Sequence, residues 1–263
     1  MSVALLNGQQ ASVDDLRALA LVNYGHFTSF QVRRRAAQGM DLHLQRLSAG
    51  TRQLFGSDLD ATAVRAQMRA AIADAPDCSV RVTVYSRHFD YRNPGPALDA
   101  DVLVTVAAAS LPQDHALRLQ SRQFQRCLPE VKHIGTLPLF HHRRQAVMQG
   151  FDDALFVDVD GVISEGPTWN IGFWQRGTVV WPDAPALRGT TERLLKEALS
   201  RQGVEQVTRS LGRPDLGTFD GAFACNASGL QSVAKIDETV FPDPRAGLIA
   251  LRDTLASLAW EAV

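Results

Sequence analysis

Apolar and polar residues alternate along 26–34, "HFTSFQVRR", as they do in a half-buried strand, and a turn follows at 37–39. The next stretch, "DLHLQRLSAGTRQLFG", places Leu42, Leu44, Leu47, Leu54 and Phe55 close to a helical stripe. Asp41 is its N-cap candidate and Gly56 its stop. A second amphipathic helix is predicted over 60–75, ending before Pro76. "SVRVTVYS" (79–86) alternates again, and "DVLVTVAAA" (101–109) has the unbroken apolar run of a more buried strand. The turn composition of "SLPQDHA" (110–116) marks a domain boundary.

Beyond it, "LRLQSRQF" predicts a strand and 138–150 a helix that stops at Gly150. "ALFVDVDG" and "VISEG" form a hairpin around Asp160-Gly161, a preferred turn pair. "NIGFWQRGTVVWP" is a second strand pair around Arg176-Gly177. A helix from Thr190 or Thr191 to Gly203, small-residue strands near 221–236 and a last helix over 244–258 complete the pattern. The strand-rich middle of this half predicts a barrel-like or mixed sheet with flanking helices.

The formal net charge of -1 argues against a basic nucleic-acid groove or a polybasic membrane patch. Cys78, Cys127 and Cys225 are odd in number and far apart. They argue against a disulfide framework and a structural zinc site, and fit a reducing cytoplasm. The start, "MSVALLNGQQ", has no basic segment and no sustained apolar run, so neither a signal peptide nor a membrane span is expected.

Only three of the 27 basic residues are lysines: Lys132, Lys196 and Lys235. Charge alone can come from arginine, but a nucleophilic amine needs lysine. Lys132 lies in a short segment between strand and helix. Glu165 follows a hairpin, in "ISEG". Gly189-Thr190-Thr191 opens a helix, whose free N–H groups suit a phosphate dianion. Arg46, in "HLQRL", is placed to add a charge-assisted contact to the same phosphate. Amine, carboxylate and phosphate site together describe pyridoxal phosphate chemistry.

The order and wording of these motifs resemble the fold-type IV pyridoxal phosphate enzymes, which comprise the class IV aminotransferases and 4-amino-4-deoxychorismate lyase. The resemblance rests on "NYGHFTSFQVR", "HLQRL", "VKH", "DALFVDVDGVISEGPTWNIGFW", "PALRGTTERLL" and "FACNASGLQSVAKID", and covers most of the chain. It implies that Lys132 is the Schiff-base lysine, that Arg46 binds phosphate, and that Glu165 meets the pyridine nitrogen. Thr190 and Thr191 would bind phosphate through backbone amides, with Asn226 touching it from a late loop. The resemblance further implies an α/β (α+β) architecture, the two-domain D-amino acid aminotransferase-like fold. A small N-terminal α/β domain (1–110) and a linker (111–116) precede a larger pseudo-barrel cofactor-binding domain (117–263). It also implies a homodimer that transfers an amino group between an amino acid or amine and a 2-keto acid.

Four positions depart from the family's usual residues: Gly135, Leu137, Glu192 and Asn226. "VKH", "HFTS" and "CNA" resemble the lyase subgroup more closely. In that alternative Lys132 serves pyruvate elimination from aminodeoxychorismate, with Thr28 near the reacting carbons. Arg87 and Arg92, in "SRHFDYRNPG", are candidates for the substrate carboxylate. His141-His142 do not share a helix face, so no metal site is expected there. A different class is represented by "LFVDVDGVIS", similar to the Asp-x-Asp-Gly motif of haloacid dehalogenase-type phosphatases, with Asp158 as nucleophile, Asp160 as acid/base and magnesium as cofactor. That motif lies past the middle of this chain, and the late acidic motif that would complete it is missing.

Overall fold

The computed structural model describes residues 3–73, 75, 77–111, 113–243, 245 and 247–263. Pro76 and Pro244, at helix ends in the sequence reading, and Pro112, in its boundary segment, lie outside them. The chain divides into two units. Unit 1 is Met1–Ser110 with Val131–Gly135 and Ala259–Val263; unit 2 is Leu111–Glu130 with Thr136–Leu258.

Unit 1 contains β1 (Val3–Leu6), β2 (Gln9–Gln10), α1 (Val13–Val22), β3 (Gly25–Arg33), β4 (Ala36–Ala37), α2 (Met40–Phe55), α3 (Ala61–Ile72), β5 (Asp77–Tyr85) and β6 (Asp101–Ala108). A last short strand, Glu261–Ala262, pairs with β4 and closes the edge of a seven-stranded antiparallel sheet; inward from it run β4, β3, β5, β6, β1 and β2. Alternation sorts the two faces. Phe30 and Val32 of β3, Val80, Val82 and Val84 of β5, and Val102, Val104 and Val106 of β6 pack on Met40, Leu44, Leu47 and Phe55 of α2 and on Val64 and Met68 of α3. The other face carries Phe27, Ser29 and Gln31 beside Thr83, Arg81 and Ser79.

Two helix details differ from the sequence reading. Helix α2 is capped by Gly39 in the left-handed conformation (φ 66°), not by Asp41, which sits in the first turn. The chain must leave the β4 turn with positive φ, and glycine does so without a Cβ clash. Helix α1 is absent from the sequence pattern because it buries no residue and so shows no apolar stripe; a Ser12–Asp15 capping box holds its start.

Unit 2 contains β7 (Leu117–Gln123), α4 (Leu137–Met148), β8 (Asp153–Val157), β9 (Asn170–Gln175), β10 (Thr178–Pro182), α5 (Thr190–Arg201), β11 (Gln206–Arg209), β12 (Gly221–Asn226), β13 (Gly229–Ile236), β14 (Thr239–Val240) and α6 (Leu248–Ala256). Its eight-stranded mixed sheet runs β11-β10-β9-β12-β13-β7-β8, with β14 on β13. Both faces of its centre are buried. Ile171, Phe173, Ala222 and Ala224 enter one core, while Phe223 and Cys225 join Leu195 and Leu199 of α5 and Leu251 of α6 in another. Burial on both sides explains why these strands read as continuous apolar runs. Among the described residues no helix is long and apolar enough to cross a membrane.

The sequence reading assigns all of 117–263 to one domain. The segment carrying Lys132 belongs instead to unit 1, because its backbone pairs with β3 and its Val131 and Ile134 side chains are buried.

Candidate active site

The Lys132 segment adds to the free edge at the start of β3. Phe27 N–H donates to the Lys132 carbonyl (2.9 Å) and Ile134 N–H to the Gly25 carbonyl (3.0 Å). Gly25 fits between β5 and this segment: a Cβ there would lie 2.5 Å from the Val84 carbonyl oxygen of β5 and 3.3 Å from Ile134 Cδ1. Lys132 Nζ then lies 4.9 Å from the centroid of the Phe27 ring.

On the opposite side of β3, Thr28 Oγ1 and His43 Nδ1 are 2.6 Å apart in the α2 interface. Thr28 is fully buried there (0% exposed). Thr28, expected near the reacting carbons, is thus joined to His43, whose ring feels the charge of Lys132. Neighbouring strand residues point to opposite faces, and it is Phe27 that shares the face of Lys132. Arg46, one turn after His43 on α2, is half-buried. Burial, with the charges of Arg46 and Lys132 adding to it, pulls His43 down to about 3. Burial pulls His26, hydrogen-bonded to Thr51 Oγ1, down to about 4.

Both rings are neutral when folded, yet titrate near 6.5 in the unfolded chain. Between those values the unfolded state holds more protons, so stability rises with pH across the window and falls on acidification below about 6.5. Each ring contributes about 1.4 kcal/mol per pH unit there. The urea midpoint is therefore expected to be lower at about pH 5 than at about pH 7, with His43→Gln narrowing the gap. Equal wild-type midpoints at the two pH values would refute this account.

The two arginine candidates are placed elsewhere in unit 1. Arg87 donates to Asp15 (2.7 Å) and Asp101 (3.0 Å), so its guanidinium ties α1 to β6 rather than waiting for a substrate carboxylate. Arg92 is exposed, with its guanidinium over Tyr91.

Unit 2 gathers the remaining candidates. After β8 the chain turns through 158–161, where the Asp158 carboxylate accepts from Asp160 N–H and Val162 N–H. That carboxylate shapes the turn through these two bonds. Glu165 follows, paired by an isolated bridge with Asn170 at the start of β9. Its carboxylate is 3% exposed and accepts from Arg126 Nε (2.9 Å) and from Leu187 N–H (3.1 Å). Asn170 extends the network: its Nδ2 donates to the Leu187 carbonyl (2.8 Å), and its Oδ1 accepts from Gly189 N–H (3.0 Å).

Gly189 is the N-cap of α5, so Glu165 is joined through two backbone segments to the start of that helix. The first N–H groups of a helix have no partner within it. Here they belong to Thr190, Thr191 and Glu192. Thr190 Oγ1 is buried with no partner among the described residues, while Thr191 Oγ1 donates to the Asn226 carbonyl (2.8 Å). The Asn226 side-chain oxygen accepts from Ser228 N–H, which holds the loop after β12.

Glu192, where the family usually has arginine, is buried and accepts from Lys196 (2.7 Å) and Arg188 (3.2 Å), one helical turn to either side. Leu137 is exposed. Burial, reinforced by Glu192, pushes the Cys225 thiol well up, which keeps it protonated.

Two residues of this network escape a reading of the sequence. Arg126 is one arginine among many in a loop and carries no motif. Asn170 stands inside the quoted signature, but its link between two loops depends on their folding.

The family model described as amino-transferase class IV matches residues 25–236, from the first residue of β3 to the last of β13. Among similar solved structures, a T.th. branched-chain amino acid aminotransferase complexed with N-(5'-phosphopyridoxyl)-L-glutamate is 17% identical over 97% of this chain and 92% of that one, with a TM-score of 0.85. The branched-chain aminotransferase of the archaeon Thermoproteus uzoniensis with norvaline is 19% identical over 97% and 96%, TM-score 0.82. A putative 4-amino-4-deoxychorismate lyase of Legionella pneumophila is 19% identical over 92% and 94%, TM-score 0.76. At these identities the likeness is one of fold. No curated protein matches the sequence. The family match spans both units and includes the segments that carry Lys132, Glu165 and the start of α5, so the chain belongs to the class IV aminotransferase family, the pyridoxal phosphate enzymes of fold type IV.

Proposed function

We propose that this protein is an aminotransferase that moves an amino group between an amino acid or amine and a 2-keto acid, with Lys132 as its catalytic amine. The observation that carries the reading is the network from the Glu165 carboxylate through Leu187 and Asn170 to Gly189. It connects a buried carboxylate to an open helix N-terminus, which are the groups a pyridine nitrogen and a phosphate require. The buried Thr190 hydroxyl fits the same cofactor, since a phosphate oxygen would accept from it.

Glu165, oriented by Arg126, would hold the proton on the ring nitrogen. The N–H groups at the start of α5 would hold the phosphate, and the resemblance gives Arg46 a phosphate role as well. The cofactor, when bound, supplies an electron sink for a bond breaking at the substrate Cα. Lys132 provides the amine that bonds the cofactor's aldehyde carbon. Once freed by the amino donor, that amine would be the base for the substrate Cα proton and the acid that delivers it to the cofactor's former aldehyde carbon. The same reading gives Thr190, Thr191 and Asn226 to the phosphate and makes the assembly a homodimer.

Transamination is favoured over pyruvate elimination because Thr28, the hydroxyl that elimination would call on, is bonded to His43 in the α2 interface. The test is an absorbance titration of the cofactor-loaded protein with L- and D-amino acids. The visible band is expected to bleach with one donor set and to return on adding a 2-keto acid. Pyruvate released from aminodeoxychorismate without bleaching would transfer the reading to the lyase.

A further inference from the structure

We propose that the Arg188–Glu192 ion pair positions the phosphate-binding turn at the start of α5; this rests on the function proposed above and adds the residues that keep its phosphate site in shape. Glu192 is the third residue of α5, so its own N–H is one of the free donors at that helix start. Its side chain is 1% exposed. One carboxylate oxygen accepts from both Arg188 and Lys196, and the other is buried with no partner among the described residues.

A helix staple needs no such burial. An exposed i,i+4 pair supports a helix without desolvating either ion, and an apolar residue at 192 would leave no buried oxygen unbonded. Arg188 shows what the carboxylate holds. Its guanidinium donates to Glu192 (3.2 Å) and to the carbonyls of Ala184 (2.6 Å) and Pro182 (3.3 Å). It therefore ties the end of β10 to the first turn of α5 across the segment between them. That segment contains Gly189, the N-cap, whose N–H donates to Asn170. A planar guanidinium can bridge several acceptors in fixed directions, which a lysine ammonium cannot.

Lys196 braces the same Glu192 oxygen from the next turn, at 2.7 Å. Two cations around one carboxylate leave a net positive charge beside the helix start, which favours a phosphate dianion there. The Glu165 end of the site has its own support in Arg126, so the pair acts on the phosphate end.

The test titrates the full-length protein, freed of cofactor, with pyridoxal phosphate and with pyridoxal, which has the ring and the aldehyde but no phosphate. The visible band reports binding. The wild type is expected to prefer the phosphorylated form. Arg188→Gln should need about tenfold more pyridoxal phosphate, with its response to pyridoxal unchanged. Arg188→Lys keeps the ion pair but not the bridge to the carbonyls, and should lie between. Inorganic phosphate gives a reading without the ring: it should raise the Tm of the cofactor-free wild type more than that of Arg188→Lys. Variants that keep the wild-type preference and phosphate response, or that lose affinity for both compounds equally, overturn the proposal. Should Arg188→Gln fail to fold, the two Arg188→Lys readings decide it. A wild type with no preference for the phosphorylated form rejects the phosphate site of the parent function, and this inference with it.

Discussion

Lys132→Ala is expected to lose covalent attachment of pyridoxal phosphate and at least about 10^4-fold in transamination rate. Two functions disappear with one side chain: the amine that holds the aldehyde and the base that moves the proton. Lys196 is held by Glu192 on α5, and Lys235 lies over Phe151 in unit 2. Lys132→Arg tests charge separately from chemistry. It keeps a cation near Phe27 but cannot form the bond, so its rate should fall as far as that of the alanine variant. Added methylamine should restore a fraction of the proton transfer in Lys132→Ala and none in Lys132→Arg, where the arginine fills the space. Reduction with borohydride followed by peptide mapping checks the attachment, and single-turnover absorbance checks the rate. An alanine variant within about tenfold of the wild-type rate would end the assignment of Lys132 as catalytic base.

Arg126→Ala is expected to cost about 3–5 kcal/mol of stability, and with it the cofactor. Both side chains of the Arg126–Glu165 pair are 4% exposed. Removing the arginine leaves a carboxylate with little access to water, held by the Leu187 N–H. For a chain of this size the loss corresponds to a fall in Tm on the order of 10 °C. The double variant Arg126→Met, Glu165→Leu separates the two roles. Replacing a buried ion pair by apolar groups of similar volume is often neutral, so Tm should recover while cofactor affinity does not. Thermal unfolding and fluorescence titration with pyridoxal phosphate read the two effects. A Tm for Arg126→Ala within about 2 °C of the wild type would show that the pair does not carry the stability assigned to it.

What is legible in the sequence follows from how local each signal is. Strand β3 announces itself by alternation, because one face meets α2 and α3 while the other is polar. Helix α5 is legible from Gly189-Thr190-Thr191, since caps use the same residues wherever the helix lies. Helix α1 is hidden because it buries nothing. The cap of α2 lies two residues before the expected one because a left-handed glycine supplies a start that a side-chain rule cannot see.

By itself the sequence determined the family, most of the longer elements and the chemical types at the site: a rare lysine, a glutamate after a hairpin, a helix opening with hydroxyls. Those are properties of short segments and of their order, and short segments carry them intact. Tertiary structure alone decided which groups meet. It attached the Lys132 segment to β3 in unit 1, bonded Thr28 to His43 and brought Phe27 to Lys132. It committed Arg87 to aspartates, and it joined Arg126, Glu165, Asn170 and Gly189 into one network. Each of these depends on the pairing of residues far apart in the chain, where one step of strand register exchanges the faces and no local pattern records the choice.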